Sequence, residues 1–591
     1  LGKTGHGEGG GMIWKTEHIK TTIDLYSYAQ QQNHPLLPSY DTTVAIIGGG
    51  PKGLYALNHF INQLHLRQPS KSLKILWFNS DIWFGCGPNY NIQQPDFLLI
   101  NYCIGHLQAY HPAYSSTERQ LHFMDWLNMV KTVDTPVVPT DFASRALVGH
   151  YLQWVGVEIM SRLPDNVYLQ FIPQKVTSIQ SAGEGTVETI SACWKVDSVL
   201  LATGHCYENS PILPTHDIPR HRYWKSAYPV SQFSTISKQE KVGIVGLGLT
   251  FIDVALALTE GRGGIFDNGQ YYPSGKEPRI FPFSRTSFPI LCRSPLYKSS
   301  RPLYLLTDEW LMDVQAKKRK IDFCAEVLPL IEEEVQLAYY GVLWKMKEKK
   351  TIQAQIEKLD SARRFTLKDL LQPCINSSKA ILKYIEVAIE EAHKGEEDSP
   401  LMAAAAVWSK ASPFIAELYK AGGFTGESQR ILDTVYFGAF NRISYGPPVE
   451  NMEKIYALAK AGIIQFKISP DALPKWDPAL QQFMLRCLLQ EQLTLDVLID
   501  ARIARPSLQK NNAPFYNRLL QQGVIAPYKN QYYQPGTISL SKTGKCDTAN
   551  HLLLYGYGSN TEGVFYDNDT LSRTKNDTAI HWVQETLTTL C

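Results

Sequence analysis

The sequence predicts an α/β fold with two strand–glycine–helix units and a helical insertion, and three observations predict it. Thr43-Val-Ala-Ile-Ile-Gly48 is a short apolar run that ends in glycines and leads into a helical pattern reaching about His65. Lys241-Val-Gly-Ile-Val-Gly246 repeats that arrangement. From about Thr307 to Ile463 the strand signal nearly vanishes and apolar residues recur at helical spacing. A strand, a crossover helix and a second strand form the unit from which helix-covered parallel sheets are built.

The remaining elements follow in order. Residues 1–11 (LGKTGHGEGGG) read as a flexible leader or expression scar, with Met12 the expected start, and residues up to 42 as an N-terminal extension. Leu73-Lys-Ile-Leu-Trp-Phe-Asn79 is the strand that completes the first unit. From Asn166 the runs VYLQF, VTSIQ and VETIS alternate with period two, and Ala182-Gly-Glu-Gly185 supplies a turn, which predicts an antiparallel meander. Ser198-Val-Leu-Leu-Ala-Thr203 is a buried strand ending at Gly204. In the helical stretch, Leu328, Ile331, Val335, Ala338, Val342 and Met346 share one face, and Glu332, Glu333, Glu334 and the Lys347–Lys350 run occupy the rest, as in an amphipathic core helix. His551-Leu-Leu-Leu-Tyr-Gly556 returns to strand, and a terminal helix ends near Leu590. The expected domains are 1–42 (leader and extension), 43–240 with 464–591 (first dinucleotide domain), 241–306 (second) and 307–463 (helical, on the substrate side).

Composition narrows the function. With 591 residues, 44% hydrophobic and 19% charged, the chain is neither collagen, coiled coil nor disordered tail, and its length suggests roughly three or four domains. Lys and Arg number 58 against 56 Asp and Glu, so no global field recruits nucleic acid or an anionic membrane. No apolar run approaches a membrane helix. The ten cysteines hold no CxxC spacing, which disfavours a zinc ribbon or a redox dithiol and fits a reducing cytoplasm. His106, His111 and His122 do not share a helical face, and no metal site is expected.

The chemistry concentrates at glycine turns. Gly48-Gly49-Gly50-Pro51-Lys52-Gly53 is a GxGxxG following a strand and opening a helix. Gly48 permits the tight turn, Gly50 admits a pyrophosphate to the backbone, and Gly53 lets the helix pack on the sheet. A glycine-rich turn without ligand is the plain alternative. Asn79-Ser80-Asp81 stands where an acid usually binds the ribose, so Asn79 and Ser80 are expected there. Thr203-Gly204-His205 forms a second cofactor-facing turn. Gly246, Gly248 and Thr250 form a third, where Phe251 replaces the last glycine, and a structural strand–helix crossover is the alternative. Ser284-Arg285 closes the next strand, where an arginine favours a 2′-phosphate and hence NADPH, although a solvated surface arginine explains it nearly as well.

With these motifs in place, the sequence resembles the FAD–NAD(P)-binding family of flavoprotein oxidoreductases, which share architecture with class B flavoprotein monooxygenases and amine N-hydroxylases. The resemblance is carried by Gly87-Pro-Asn-Tyr90 through Asn101, Ser144-Arg145-Ala-Leu-Val-Gly149-His-Tyr151, Asp197-SVLLATGH, Gly246-LGLTFID, Ser284-Arg285-Thr-Ser-Phe-Pro289, Gly446-Pro-Pro-Val-Glu and Thr561-Glu562-Gly563. It implies two Rossmann-like dinucleotide-binding domains, FAD on the first and NADPH on the second. It implies cofactor contacts at Arg145, Glu562 and Gly563, and Asn101 as the catalytic group steadying the flavin edge or the nicotinamide. The expected activity is O2-dependent hydroxylation of an amine or amino-acid nitrogen through a C4a-hydroperoxyflavin. Alternatives are an NADPH-dependent dehydrogenase or reductase, a flavin halogenase, and a non-enzymatic nucleotide-binding protein. The partners are a small-molecule substrate and O2; the substrate and the oligomeric state stay open.

Overall fold

The computed structural model describes residues 12–590 except 21–23, 33–36, 115–119, 182–183, 206–211, 214–216, 296–300, 374, 470–471, 489–490, 506, 509–512 and 548–551. The leader 1–11 and the Ala182-Gly183 half of the expected turn lie outside the described residues. The elements that position the site are β1 (Thr42–Ile47), α1 (Pro51–Arg67), β2 (Leu73–Phe78), α2 (Arg145–Met160), β3 (Val167–Ile172), β4 (Ser198–Leu201), β5 (Lys241–Val245), α3 (Leu249–Ala257), β6 (Arg279–Phe283), β7 (Val497–Asp500), β8 (Leu553–Gly556) and α4 (Ala579–Leu590).

The first sheet has five parallel strands in the order β8-β4-β1-β2-β3. Val44 of β1 pairs with Ile75 of β2 on one side and Ser198 of β4 on the other. β1 and β2 read as unbroken apolar runs because helices cover both faces of a parallel sheet. α1 is buried along most of its length, from Gly53 to Leu64, and packs Phe60 against Trp582 of α4 with ring centroids 4.9 Å apart.

One expectation fails here. VYLQF is β3, a parallel edge strand beside β2, and is no part of the meander. Its alternation comes from being half-covered at the sheet edge, a pattern that an antiparallel strand shares. The antiparallel sheet consists of Ser178–Gln180, Thr186–Glu188 and Cys193–Lys195.

The second sheet is also parallel and runs Tyr223–Trp224, β7, β5, β6. β7 therefore leaves the 464–591 segment expected in the first domain, and Tyr223–Trp224 leaves 43–240. Without them β5 would present an open edge. The antiparallel strands Lys475–Asp477, Gln482–Arg486 and Gln492–Leu495 lead into β7 and share a core with Phe281 and Phe283 of β6.

Most helices of 307–463 bury their apolar faces in one core with α3 and β5, while Ile352 and Ile356 of the helix Lys349–Glu357 join Leu337 and Tyr340 in a separate cluster. Trp408 and Phe440 stack at 3.6 Å in that core, and Leu98 and Tyr566 enter it from outside the helical stretch. In the helix Leu328–Leu343, Ile331 and Val335 face inward as the spacing predicts. Glu334 departs from the expected polar face. It is buried and accepts backbone N–H groups from Tyr304 at 2.7 Å, Leu305 at 2.5 Å and Leu306 at 3.2 Å, which otherwise would have no partner in this connection.

Candidate active site

The first glycine turn is shaped by steric exclusion. Gly48 has φ +128°, and a Cβ there would overlap the carbonyl oxygen of Ala202. A Cβ on Gly53 would overlap the carbonyl oxygen of Gly48, so α1 packs directly on the turn that precedes it. Gly50 caps α1 with no side chain and Pro51 follows at the first helical position, which leaves the helix-end N–H groups without a side-chain acceptor. Across from Gly50 stands Gly87, whose Cα lies 3.9 Å from where a Gly50 Cβ would be. An uncapped helix terminus walled by two glycines is a seat for an anion held by backbone.

Asn79, at the end of β2, holds this turn: its Oδ1 accepts from the Gly49 N–H at 3.3 Å and its Nδ2 donates to Asp81 at 2.9 Å. Ser80 is exposed beside it. Thr203 meets the Tyr516 hydroxyl at 2.7 Å, and a Cβ on Gly204 would enter open space.

Lys52, Tyr90, Tyr102, Arg293 and Glu562 are each half-buried, and burial dominates their ionisation. Burial pushes Lys52 down to about 8; its Nζ donates to the Ser572 carbonyl at 3.2 Å and lies 4.9 Å from the Tyr557 ring centroid. Burial likewise pushes Glu562 up to about 7, while its carboxylate accepts from the N–H groups of Asp567 at 3.1 Å and Asn568 at 2.9 Å. Gly563 has φ +103°, and its carbonyl accepts from Gln429 at 2.7 Å. His205 pairs with Asp569 at 2.9 Å; against the lowering by burial, Asp569 and then Glu562 hold the imidazole above its ordinary value.

The helical stretch meets the segment that ends in Asn101 through Tyr445. Asn101 donates its amide to the Tyr445 carbonyl at 3.3 Å. The Tyr445 hydroxyl donates to Asp567 at 2.5 Å, and Asp567 is ion-paired with Lys575, which also reaches Ser412 at 3.3 Å. Arg293 donates to the Ser444 carbonyl and has no carboxylate ion-pair partner among the described residues. Burial lowers its affinity for its proton. Sequence reading missed Arg293, Asp567 and Lys575, because none sits in a motif or on a periodic face.

Arg145, expected at the cofactor, meets protein groups on each of its nitrogens in this structure. Its guanidinium is spent on protein groups: Nε donates to the Leu99 carbonyl at 3.1 Å, one terminal nitrogen to the Tyr228 hydroxyl at 3.2 Å, and the other pairs with Asp253 at 2.7 Å. Asp253 lies on α3 and is buried, so its carboxylate demands a cation, and Arg145 is the one within reach.

The third turn repeats the first in outline. Gly246 has φ +114°, Gly248 caps α3 without a side chain, and a Cβ on Gly248 would meet nothing within 4 Å. Thr250 is buried, and Phe251, in place of the last glycine, turns edge-on to Phe466 at 6.0 Å. Past β6, Ser284 Oγ accepts from the Ser287 N–H at 3.0 Å, whereas Arg285 is exposed, with no hydrogen bond or ion pair among the described residues. Among the described residues no group of three His, Cys, Asp or Glu is disposed to hold a metal ion, and no helix is long and apolar enough to cross a membrane.

A mixed α/β fold in which two parallel sheets each lead into a glycine-capped helix is consistent with one class, the FAD- and NAD(P)H-dependent oxidoreductases. Residues 45–206 match the family model described as FAD-NAD(P)-binding, and the chain is a flavin-dependent NAD(P)H oxidoreductase. It is 25% identical to nitrosuccinic acid synthase of Aspergillus oryzae over 90% of both chains. It is also 25% identical to an L-aspartate N-monooxygenase (nitrosuccinate-forming) of Streptomyces davaonensis, over 82% of this chain and 86% of that one. Among solved structures, an ornithine N-hydroxylase of Kutzneria sp. 744 superposes with a TM-score of 0.48 at 12% identity, covering 93% of this chain and 100% of that one.

Proposed function

We propose that the chain hydroxylates the amine nitrogen of a dicarboxylic α-amino acid, L-aspartate first, at the expense of NADPH and O2. One observation carries the reading: similarity to a nitrosuccinic acid synthase runs through 90% of both chains, and so spans the helical wall as well as the nucleotide turns.

The two parallel sheets are read as Rossmann-like domains, FAD on the first and NADPH on the second. FAD fits the first: Gly48, Gly49, Gly50 and Gly53 bring bare backbone to its diphosphate, Lys52 adds a cation beside the same helix end, and Thr203 and Gly204 border the same turn. Gly246, Gly248 and Thr250 serve the NADPH diphosphate in the same way, and Arg285 is free to take a 2′-phosphate. Bound there, the two cofactors supply hydride transfer and oxygen activation. The protein supplies position and a dry site. Asn101 is held by Tyr445 where it can present its amide to the flavin edge or the nicotinamide, and the Glu562-Gly563 turn closes one side. Arg293 supplies what an amino-acid substrate requires, a half-buried guanidinium with no ion-paired carboxylate among the described residues. The neighbouring Asp567–Lys575 pair sets the polarity around the amine.

The test is purification with bound yellow flavin, followed by NADPH oxidation under air and under nitrogen with L-aspartate, L-ornithine and L-lysine. The reading expects turnover that requires O2 and L-aspartate and yields an oxidised-nitrogen product. A reductase would consume NADPH under nitrogen with an added acceptor and leave every amine intact.

A further inference from the structure

We propose that the Arg145–Asp253 ion pair, braced by Tyr228, is a positioning device that registers the NADPH-holding helix against the flavin-side segment for hydride transfer; the proposal rests on the cofactor assignment just given. The geometry is specific. Arg145 is the first residue of α2, whose cap Ser144 accepts from the Leu147 N–H at 3.2 Å and donates to Asp96 at 2.6 Å, so the arginine springs from a fixed helix end. Its main chain and side chain both grip the strip that ends in Asn101: the Arg145 N–H donates to the Leu98 carbonyl at 2.7 Å and Nε to the Leu99 carbonyl at 3.1 Å. Its other arm crosses to Asp253 at 2.7 Å on α3, the helix that Gly248 opens. Tyr228 donates to the same Asp253 oxygen and accepts from Arg145, closing a three-membered ring of contacts.

The side chains of Arg145 and Asp253 are 15% and 3% exposed, so the pair is screened little by solvent and salt. One arginine, through its main chain and its guanidinium, thus ties the residues three and two positions before Asn101 to the helix whose N-terminus would hold the NADPH diphosphate. A shift of α3 relative to that strip breaks charge-assisted contacts at both ends. Because both partners act through the placement of cofactors they do not touch, they are positioning residues.

The experiment measures two rates on Asp253→Asn, Arg145→Lys and Tyr228→Phe enzymes carrying FAD. One is anaerobic flavin reduction at saturating NADPH; the other is reoxidation by O2 of flavin reduced by light, which involves no nicotinamide. The expected result is reduction slowed by about tenfold or more in Asp253→Asn, since misplacing reacting atoms by about 1 Å costs on the order of 100-fold. Reoxidation and FAD content should stay at wild-type values, and Arg145→Lys, which keeps the charge facing Asp253, should lose less of the reduction rate than Asp253→Asn. Wild-type reduction in Asp253→Asn, or equal losses in both rates, overturns the proposal. Where Asp253→Asn does not fold, Tyr228→Phe, which keeps the ion pair, decides by the same ratio of rates. If the wild-type flavin itself is not reduced by NADPH, the cofactor assignment fails rather than the pairing.

Discussion

Gly87 faces Gly50 with its Cα 3.9 Å from the point a Gly50 Cβ would occupy, and Gly50 has an ordinary φ of −82°. A methyl group on Gly50 therefore meets no clash, costs at most the small difference between alanine and glycine as a helix cap, and intrudes on whatever lies at the start of α1. Gly50→Ala is expected to keep the melting temperature of the FAD-free protein and to weaken FAD binding by about tenfold or more, read by flavin release on dilution. Gly48→Ala gives the contrast. With φ +128° and the Ala202 carbonyl in the way, it should lower the melting temperature of the FAD-free protein as well. Equal FAD affinity in Gly50→Ala and wild type would remove the diphosphate from this turn.

Arg285 offers a separate handle on the second sheet. It is exposed, unpaired among the described residues, and follows directly on β6, the strand beside β5. A charge-assisted bond to a phosphate is worth about 1.5–3 kcal/mol, or roughly 10- to 100-fold. Arg285→Ala should raise the KM for NADPH by about that factor and leave the KM for NADH unchanged. Parallel losses with both nucleotides would place the 2′-phosphate elsewhere.

How far the sequence could be read follows from the range of each interaction. The glycine turns at Gly48 and Gly246 are local: strand, turn and helix are contiguous, and the steric demand falls on named neighbours. The helix Leu328–Leu343 announced itself through its own period, yet Glu334 on its polar side is buried because a distant connection at Tyr304–Leu306 needs an acceptor. β7 is a four-residue strand recruited from 252 positions beyond Val245, as the register Val245 opposite Asp500 requires that crossing from beyond the helical stretch. Alternation in VYLQF reports a half-exposed edge and carries no information on strand direction. Asp253 stood in a recognised segment, but its pairing with Arg145 spans the two sheets and leaves no trace in spacing.

His59 and Asp577 make a pH-sensitive contact farther along α1. Their side chains lie 2.7 Å apart and are 0% and 7% exposed. Burial, then the adjacent Arg573, pushes His59 down to about 4, so the ring is neutral and donates from Nε2 while Nδ1 has no partner. In the unfolded chain the same ring titrates near 6.5. Its contribution is therefore complete above about pH 6.5 and is lost as pH falls toward 4, up to about 3 kcal/mol. Asp577, held below its ordinary range against burial by Arg573 and His59, adds a further loss at lower pH. The melting temperature of the wild type should fall across this window, and His59→Gln, which keeps a donor but does not titrate, should flatten the fall. An unchanged slope would show that acid acts elsewhere.

Arg293 gives the sharpest separation of function from stability. A half-buried guanidinium that donates to the Ser444 carbonyl and has no ion-paired carboxylate among the described residues carries a desolvation cost that Tyr445 and Asp567 nearby do not offset fully. A residue kept for the fold would be destabilising to lose; a residue kept for an anionic ligand would not. Arg293→Met is accordingly expected to hold or raise the melting temperature, to leave anaerobic flavin reduction by NADPH unchanged, and to raise the KM for L-aspartate by about 100-fold, in line with roughly 3 kcal/mol for a lost charge-assisted bond. Arg293→Lys keeps the charge but loses the planar fork, so it should fall between the two. A drop in melting temperature together with an unchanged KM would assign Arg293 to the architecture of the Ser444–Gly446 loop and leave the substrate carboxylate to another cation.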